Sequence, residues 1–454
     1  MNPTKDASGA VKVAGPVPVT AESGEPFGGA ESPVGLTETP LSDLLRDHDF
    51  VEEEFFVSGT VGGQPYTTSL LIRRPATVAD FSGLVALEPV HVQGALGLWQ
   101  TCHPTILADG HAWVTVGSQL AAVEGPIRLS NPSRYASLHV PSAAASEESF
   151  AALMAWQQGD DANPPRTLFA IDAISNEIMT QVGVLLKAGS EDGPLPGFAV
   201  EHLIMGGASQ TGMATLNYIE ASHPNARLSD GKPVYDGFLP MAAPGWTPVA
   251  GGDAAVVHTF TEGDLFLFGV IGPDGAVAAR PDGDAPNDRY RSYQVPACPH
   301  LPTRGLRDVD GIPQLGLTLE PGERLNQFPS APFNHAAFVH LVNWVTKGVV
   351  PPRAAPIEIA KNAVVSDEFG NAKGGIRSPY VDVPTARYIP ARYLRNLIGV
   401  ELPFGAGELG ELYGSRAGYL TRFNQSIDEA IKAGSILPAD GDQLKMEEAE
   451  SAPL

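Results

Sequence analysis

The feature that most constrains this chain is a strand that runs into a glycine-rich turn and straight on into a helix. The strand-like segment Val200 to Met205 is followed by Gly206-Gly-Ala-Ser-Gln-Thr-Gly212, and a helical segment continues from about Gly212 to Ser222. Small residues at such a junction let the backbone reverse sharply beside neighbouring strands, a path that larger side chains block. A strand that exits directly into a helix belongs in a layered fold in which the two element types alternate.

The flanking sequence agrees. Leu84-Val-Ala-Leu87 and Ala112-Trp-Val-Thr-Val116 are apolar throughout, as expected of strands buried on both faces. Phe55-Phe-Val57 and Thr67 to Ile72 flank Gly62-Gly63 and predict a hairpin. From Phe169 to Lys187, Ile171, Ile174, Ile178, Val182 and Leu185 recur at helical spacing. Strands are expected at Val256–Phe260 and Ser292–Val295, with helices at His335–Lys347 and near Arg422–Lys432. The sum predicts an α/β fold with a mostly parallel central sheet, helices on both faces and loop-rich insertions. Residues 1–40 read as a loosely ordered arm, 41–350 as the principal domain, and 351–454 as a C-terminal extension packing on or covering it.

Composition narrows the partners. With 49 Gly and 41 Pro, the chain exceeds average usage of these two residues, so it is rich in turns without being low in complexity. Acidic residues number 52 against 29 basic ones, a net charge of −23 that repels phosphate backbones and argues against nucleic acid as a partner. No run of 18 apolar residues predicts a membrane helix. No basic segment followed by an apolar one marks a leader, so a cytoplasmic location is expected. Cys102 and Cys298 allow one disulfide at most. No HExxH, CxxC pair or ordered histidine cluster points to a metal, and no cofactor is expected. Asp282-Gly-Asp284 starts like a calcium loop but has Asn287 at position six and Tyr293 at twelve, so it reads as a polar turn.

Three residue types stand at strand exits in a telling order. Ser209 lies in the glycine-rich turn, with Gly207 two residues before it and Gly212 three after; Thr211 takes a position that is usually glycine. Read as a phosphate loop, Gly207 to Gly212 fails, because Met213 and Ala214 stand where Lys and Ser or Thr are required. A Gly-rich structural turn is the alternative for the segment alone. Glu262 and Asp264 follow the strand ending at Phe260, and His300 follows the strand ending at Val295. A nucleophilic serine, an acid and a histidine in that order make one constellation, whereas each alone is an ordinary turn residue.

These segments resemble the α/β-hydrolase superfamily, and more narrowly a mostly bacterial group of α/β-hydrolase-domain proteins. The resemblance runs from about Tyr66 to Tyr388. It is carried by Gly83 to Glu88, Val90 to Gly94, His111 to Val114, Gly207 to Gly212, Thr261 to Asp264, Asp288 through Tyr293 to His300, and Gly374 to Pro379. It implies an eight-stranded sheet with Ser209 as nucleophile and His300 as general base. Asp264 is the expected acid and Glu262 its competitor. The implied oxyanion donors are the N–H of Gln210 and one from the 91–94 turn, Gln93 or Gly94. The implied reaction is hydrolysis of a small-molecule carboxylic ester through an acyl-enzyme. Acyl transfer or amide hydrolysis on the same residues, or a silent ligand-binding protein of the same fold, are the rivals. Trp99, Trp246, Phe266 and Tyr290 are the candidate pocket aromatics, and oligomeric state is not legible.

Overall fold

A computed structural model describes residues 11–20, 23–28, 40–141, 143, 147–148, 151, 155, 173–245, 248–249, 252–270, 280–304 and 317–453. The apolar runs build a ten-stranded sheet. Its strands are β1 (Lys12–Ala14), β2 (Phe50–Val61), β3 (Gln64–Pro75), β4 (Leu84–Pro89), β5 (Ala112–Val116), β6 (His202–Ala208), β7 (Gly237–Met241), β8 (Ala255–Thr261), β9 (Gly283–Ala285) and β10 (Asp288–Val295). The spatial order is β1-β2-β3-β5-β4-β6-β7-β8-β10-β9. From β5 to β10 all neighbours are parallel. β1, β2 and β3 extend one edge antiparallel, and β9 closes the other. The three-residue strands β1 and β9 carry the count past the expected eight. Every residue of β4, β5, β7 and β8 is buried, the signature of a parallel sheet covered on both sides.

The helices that matter here are α1 (Gly97–Ala108), α2 (Ala173–Ala188), α3 (Gln210–Ala221), α4 (Glu262–Leu267), α5 (Ala331–Lys347), α6 (Arg416–Ala433) and α7 (Pro438–Ser451). Two consecutive residues of β7 show how they are layered. Gly237 abuts Leu341 and Val345 of α5, whereas the Phe238 ring meets Tyr218 of α3. Successive strand residues face opposite ways, so α5 and α3 cover opposite sides of the sheet. α1 packs beside α5. α2 joins α3 through Asn176 Nδ2, which donates to Asn217 Oδ1 at 2.9 Å.

The C-terminal third holds structure that weak periodicity concealed. β11 (Arg324–Leu325), β14 (Ala386–Tyr393) and β15 (Ile398–Pro403) form a separate antiparallel sheet, and β12 (Ile359–Ala360) pairs with β13 (Ala363–Val364). Pro390, Pro403 and an irregular register between Ile389 and Tyr393 break the alternation that would have marked these strands. α7 reaches back to the main body, where Glu447 pairs with Arg304 at 2.6 Å and Asp440 with His335 at 3.1 Å. Among the described residues no helix is long and apolar enough to cross a membrane. Cys102 and Cys298 are both buried and free.

Candidate active site

Parallel strands place their carboxyl ends along one edge, and there the ends of β6, β8 and β10 bring Ser209, Asp264 and His300 together. At the end of β6 the chain turns through Ser209 at φ 58° and ψ −120°, a strained conformation for a residue with a Cβ. Its N–H donates to Met241 O at 2.9 Å. The small residues around it are sterically required. A Cβ on Gly207 would lie 2.7 Å from the Thr211 carbonyl, and one on Gly212 would lie 2.3 Å from Met241 O. Thr211, where a glycine is usual, folds its hydroxyl back into the turn: Oγ1 accepts from Ala208 N–H and donates to Ala208 O, both at 2.9 Å.

His300 Nε2 lies 2.9 Å from Ser209 Oγ, and its Nδ1 lies 2.5 Å from Asp264 Oδ1. A carboxylate only accepts, so Nδ1 carries the hydrogen and Nε2 is free to accept from the serine hydroxyl. Asp264 is fully buried, and its second oxygen is also used: Oδ2 accepts Thr261 N–H at 2.6 Å. Asp264 N–H bonds back to Thr261 Oγ1 at 3.2 Å, a capping box that fixes the carboxylate at the start of α4. Phe268, at the far end of α4, packs its edge on the His300 ring with centroids 5.8 Å apart. Glu262, the competing acid, points elsewhere: Oε2 accepts Ala297 N–H at 2.8 Å, and burial raises its pKa to about 7.

Gln210 is the first residue of α3, so its N–H has no carbonyl to bond within the helix. The 91–94 turn faces the same space but differs from expectation. Gly94 N–H donates to His91 O at 2.7 Å, Gln93 N–H to His91 Nδ1 at 3.0 Å, and His91 N–H to Ala95 O at 3.2 Å. These bonds commit both Gln93 and Gly94 inside the turn, and Val92 is the member whose N–H lies outside all three. Because Nδ1 accepts, neutral His91 carries its hydrogen on Nε2. Burial, and then the nearness of His300, pull its pKa to about 4. The turn is tied to the serine by a glutamine pair. Gln210 Nε2 donates to Gln119 Oε1 at 2.5 Å, and Gln119 Nε2 bonds both Gln210 Oε1 and Val90 O at 3.3 Å. Gln119 was not singled out from the sequence, although its place just past β5 is another strand exit.

The candidate aromatics scatter. Trp99 is 7% exposed and stacks in the core against Trp113 and the Arg73 guanidinium, which lies 4.3 Å from its ring centroid. Tyr290 is buried near the start of β10, its hydroxyl 2.9 Å from His258 Nδ1, at the opposite end of the strand from His300. Both are packing residues, as aromatics in a large sheet commonly are. Phe266 is half-buried on α4, and Trp246 lies outside the described residues. In the Asp282-Gly-Asp284 turn, Asp282 accepts Ser292 N–H, and Asp284 pairs with Arg291 and Arg353.

Comparison with known proteins bears on the whole chain. No curated protein sequence matches it. Among solved structures it is similar to a promiscuous CE15 esterase from a marine bacterial metagenome (10% identity, 57% of this chain and 78% of that one, TM-score 0.28). It is also similar to a putative dienelactone hydrolase from Klebsiella pneumoniae (11% identity, 55% and 86%, TM-score 0.28) and a glucuronoyl esterase from Solibacter usitatus (12%, 54% and 77%, TM-score 0.25). The family of α/β-hydrolase domains matches over residues 13–446. With a mostly parallel sheet, a strand–serine–helix turn and a match spanning nearly its whole length, the chain belongs to the α/β-hydrolase domain family.

Proposed function

We propose that the protein is a serine hydrolase that cleaves a small-molecule carboxylic ester through a Ser209 acyl-enzyme. The observation that carries this is the continuous hydrogen-bonded line Ser209 Oγ, His300 Nε2, His300 Nδ1, Asp264 Oδ1. A serine hydroxyl is a weak nucleophile until a base takes its proton. As Oγ attacks the ester carbonyl carbon, its proton passes to His300 Nε2. Asp264 holds the imidazole in the required tautomer and stabilises the imidazolium that forms. The oxyanion is assigned to the Gln210 N–H, at the start of α3, and to the Val92 N–H, which the bonds of the 91–94 turn leave unused. The intermediate collapses with cleavage of the C–O bond, and His300 returns the proton to the leaving alkoxide. Water then repeats the sequence on the acyl-enzyme, regenerating Ser209 and releasing the acid. The net charge of −23 favours neutral esters over polyanionic ones.

The test is labelling with a fluorophosphonate together with turnover of a panel of short- to medium-chain acyl esters. Wild type should label at one site and hydrolyse at least one ester. Ser209→Ala should not label and should lose at least about 10⁴-fold in kcat/KM. Turnover retained by Ser209→Ala overturns the proposal. Product analysis with added alcohols or amines separates hydrolysis from acyl transfer.

A further inference from the structure

The histidine loop is held in a way the reaction scheme does not use. Between β10 and His300 the chain passes through Pro296, Ala297, Cys298 and Pro299, and Ala297 sits at φ +64°, left-handed although it is not glycine. A residue with a Cβ stays there only when its surroundings impose it. Both backbone polar groups of Ala297 are gripped by buried side chains. Its N–H donates to Glu262 Oε2 at 2.8 Å, and its carbonyl accepts from Asn326 Nδ2 at 2.8 Å. Asn326 is fully buried and is itself fixed, its Oδ1 accepting Phe328 N–H at 2.8 Å and its N–H donating to Gly399 O at 3.1 Å. One residue on, Cys298 O accepts Gly263 N–H at 3.0 Å. Gly263 packs so closely that a Cβ there would lie 2.7 Å from His300 N.

We infer that Glu262 and Asn326 are positioning residues for His300: together they clamp the strained Ala297 and so set the imidazole between Ser209 and Asp264. This rests on the proposed roles of Ser209 and His300. Two separate parts of the chain supply the jaws. Glu262 opens α4 two residues before the acid, and Asn326 follows β11 in the small C-terminal sheet. Burying a carboxyl beside the site costs more than an apolar side chain of similar size would. What the carboxyl provides that leucine cannot is an acceptor for the Ala297 N–H. Displacement of a reacting group by about 1 Å is enough to lower a rate by about 10²-fold, so a loose loop is read in turnover.

The experiment compares Glu262→Leu, Asn326→Asp and Glu262→Gln with wild type, scoring kcat and KM per fluorophosphonate-titrated site alongside Tm. Leu removes the acceptor; Asp keeps an acceptor for Phe328 N–H but sets an oxygen against Ala297 O; Gln restores an acceptor at 262. The expected result is a fall of about tenfold or more in kcat for Glu262→Leu and Asn326→Asp, with KM within about twofold and a matching fall in labelling rate. Glu262→Gln should recover to within about threefold of wild type. A purely structural role would lower Tm and leave kcat per titrated site unchanged; that outcome overturns the inference. If Glu262→Leu does not fold, Asn326→Asp and the Gln variant decide alone. Activity surviving in Ser209→Ala would instead remove the underlying reading, so the two failures are distinct.

Discussion

The two sides of the site are built by opposite means. The serine turn is held chiefly from within: Gly207 leaves room for Thr211, and the Thr211 hydroxyl closes on Ala208, while its longer tethers are the Ser209 N–H bond to Met241 O, the close approach of Gly212 to the same carbonyl, and the Gln210–Gln119 pair. The histidine loop carries its own strain at Ala297 and is held from outside, by Glu262, by Asn326 and by the 375–376 segment, where Ile376 N–H donates to Gln294 O at 2.8 Å. A turn that satisfies itself can be specified by a short stretch of sequence. A loop that borrows its partners needs the tertiary fold first. The serine side is therefore largely local, and the histidine side depends on distant packing.

The sharpest way to break that comparison is at the acid. Asp264→Asn offers His300 an amide, which no longer fixes the tautomer that leaves Nε2 an acceptor, and kcat should fall by about 10³- to 10⁴-fold with little change in Tm. Glu262→Gln, two residues away, should fall by no more than about threefold. Steady-state kinetics on the two variants checks the pair; a larger loss in Glu262→Gln would reverse their assigned roles.

Next in size is a steric test. Gly212→Ala drives a methyl against Met241 O, a backbone atom that cannot swing away. A stability loss of about 1–3 kcal/mol is expected by thermal or urea unfolding, with reduced labelling of Ser209. Ala297→Gly removes a methyl from the opposite side of the site. It should change stability by less than about 1 kcal/mol, because relief of the left-handed backbone offsets the added freedom of the unfolded chain.

This asymmetry also accounts for what could be read from the sequence. The alternation of β4 to β8 with helices was visible because burial on both faces leaves unbroken apolar runs such as Leu84–Leu87. Ser209, Asp264 and His300 were legible because each sits at a strand exit and their order is informative. The partners that hold His300 were not. Glu262 was noticed only as a rival acid, since nothing local tells a carboxyl that faces an imidazole from one that faces an amide 35 positions on. Gln119 meets Gln210 across 91 positions and Asn326 meets Ala297 across 29. Trp99 misled because an aromatic near a strand end has the same sequence whether it lines a pocket or stacks on Arg73. The Gln93 and Gly94 N–H groups are taken up for a local reason, the closure of the turn on His91, which spacing alone does not reveal.

An effect graded by pH separates the jaws of the clamp. Glu262 has its folded pKa raised to about 7 from an ordinary 4.5, with burial as the first cause and the Ala297 N–H pulling weakly the other way. A raised carboxyl pKa means the folded state binds the proton more tightly. The associated stability is fully present below about pH 4.5 and is lost as pH rises through about 7, at up to about 1.4 kcal/mol per pH unit. Glu262→Gln lacks this proton. Its stability should match wild type more closely near pH 4.5, exceed it increasingly up to about pH 7, and exceed it by a constant margin above that, as read by denaturant unfolding across that range. Parallel curves for the two proteins would show that Glu262 does not titrate in the folded state.

A modest effect is expected in the self-held turn. Thr211→Val is close in shape and removes only the hydroxyl that bridges Ala208 N–H and Ala208 O. An intramolecular hydrogen bond contributes about 1 kcal/mol net, and leaving the half-buried Ala208 N–H without its acceptor adds to the loss, so about 1–2 kcal/mol is expected. Thr211→Ser keeps the hydroxyl and should recover most of it. If the serine side is as self-contained as its bonding indicates, this loss will appear in Tm and in the labelling rate of Ser209 together. It will also add to that of Asn326→Asp in the double variant, since the two changes act on opposite sides of the site and share no partner. Strong non-additivity would mean that the serine turn and the histidine loop are one mechanical unit after all.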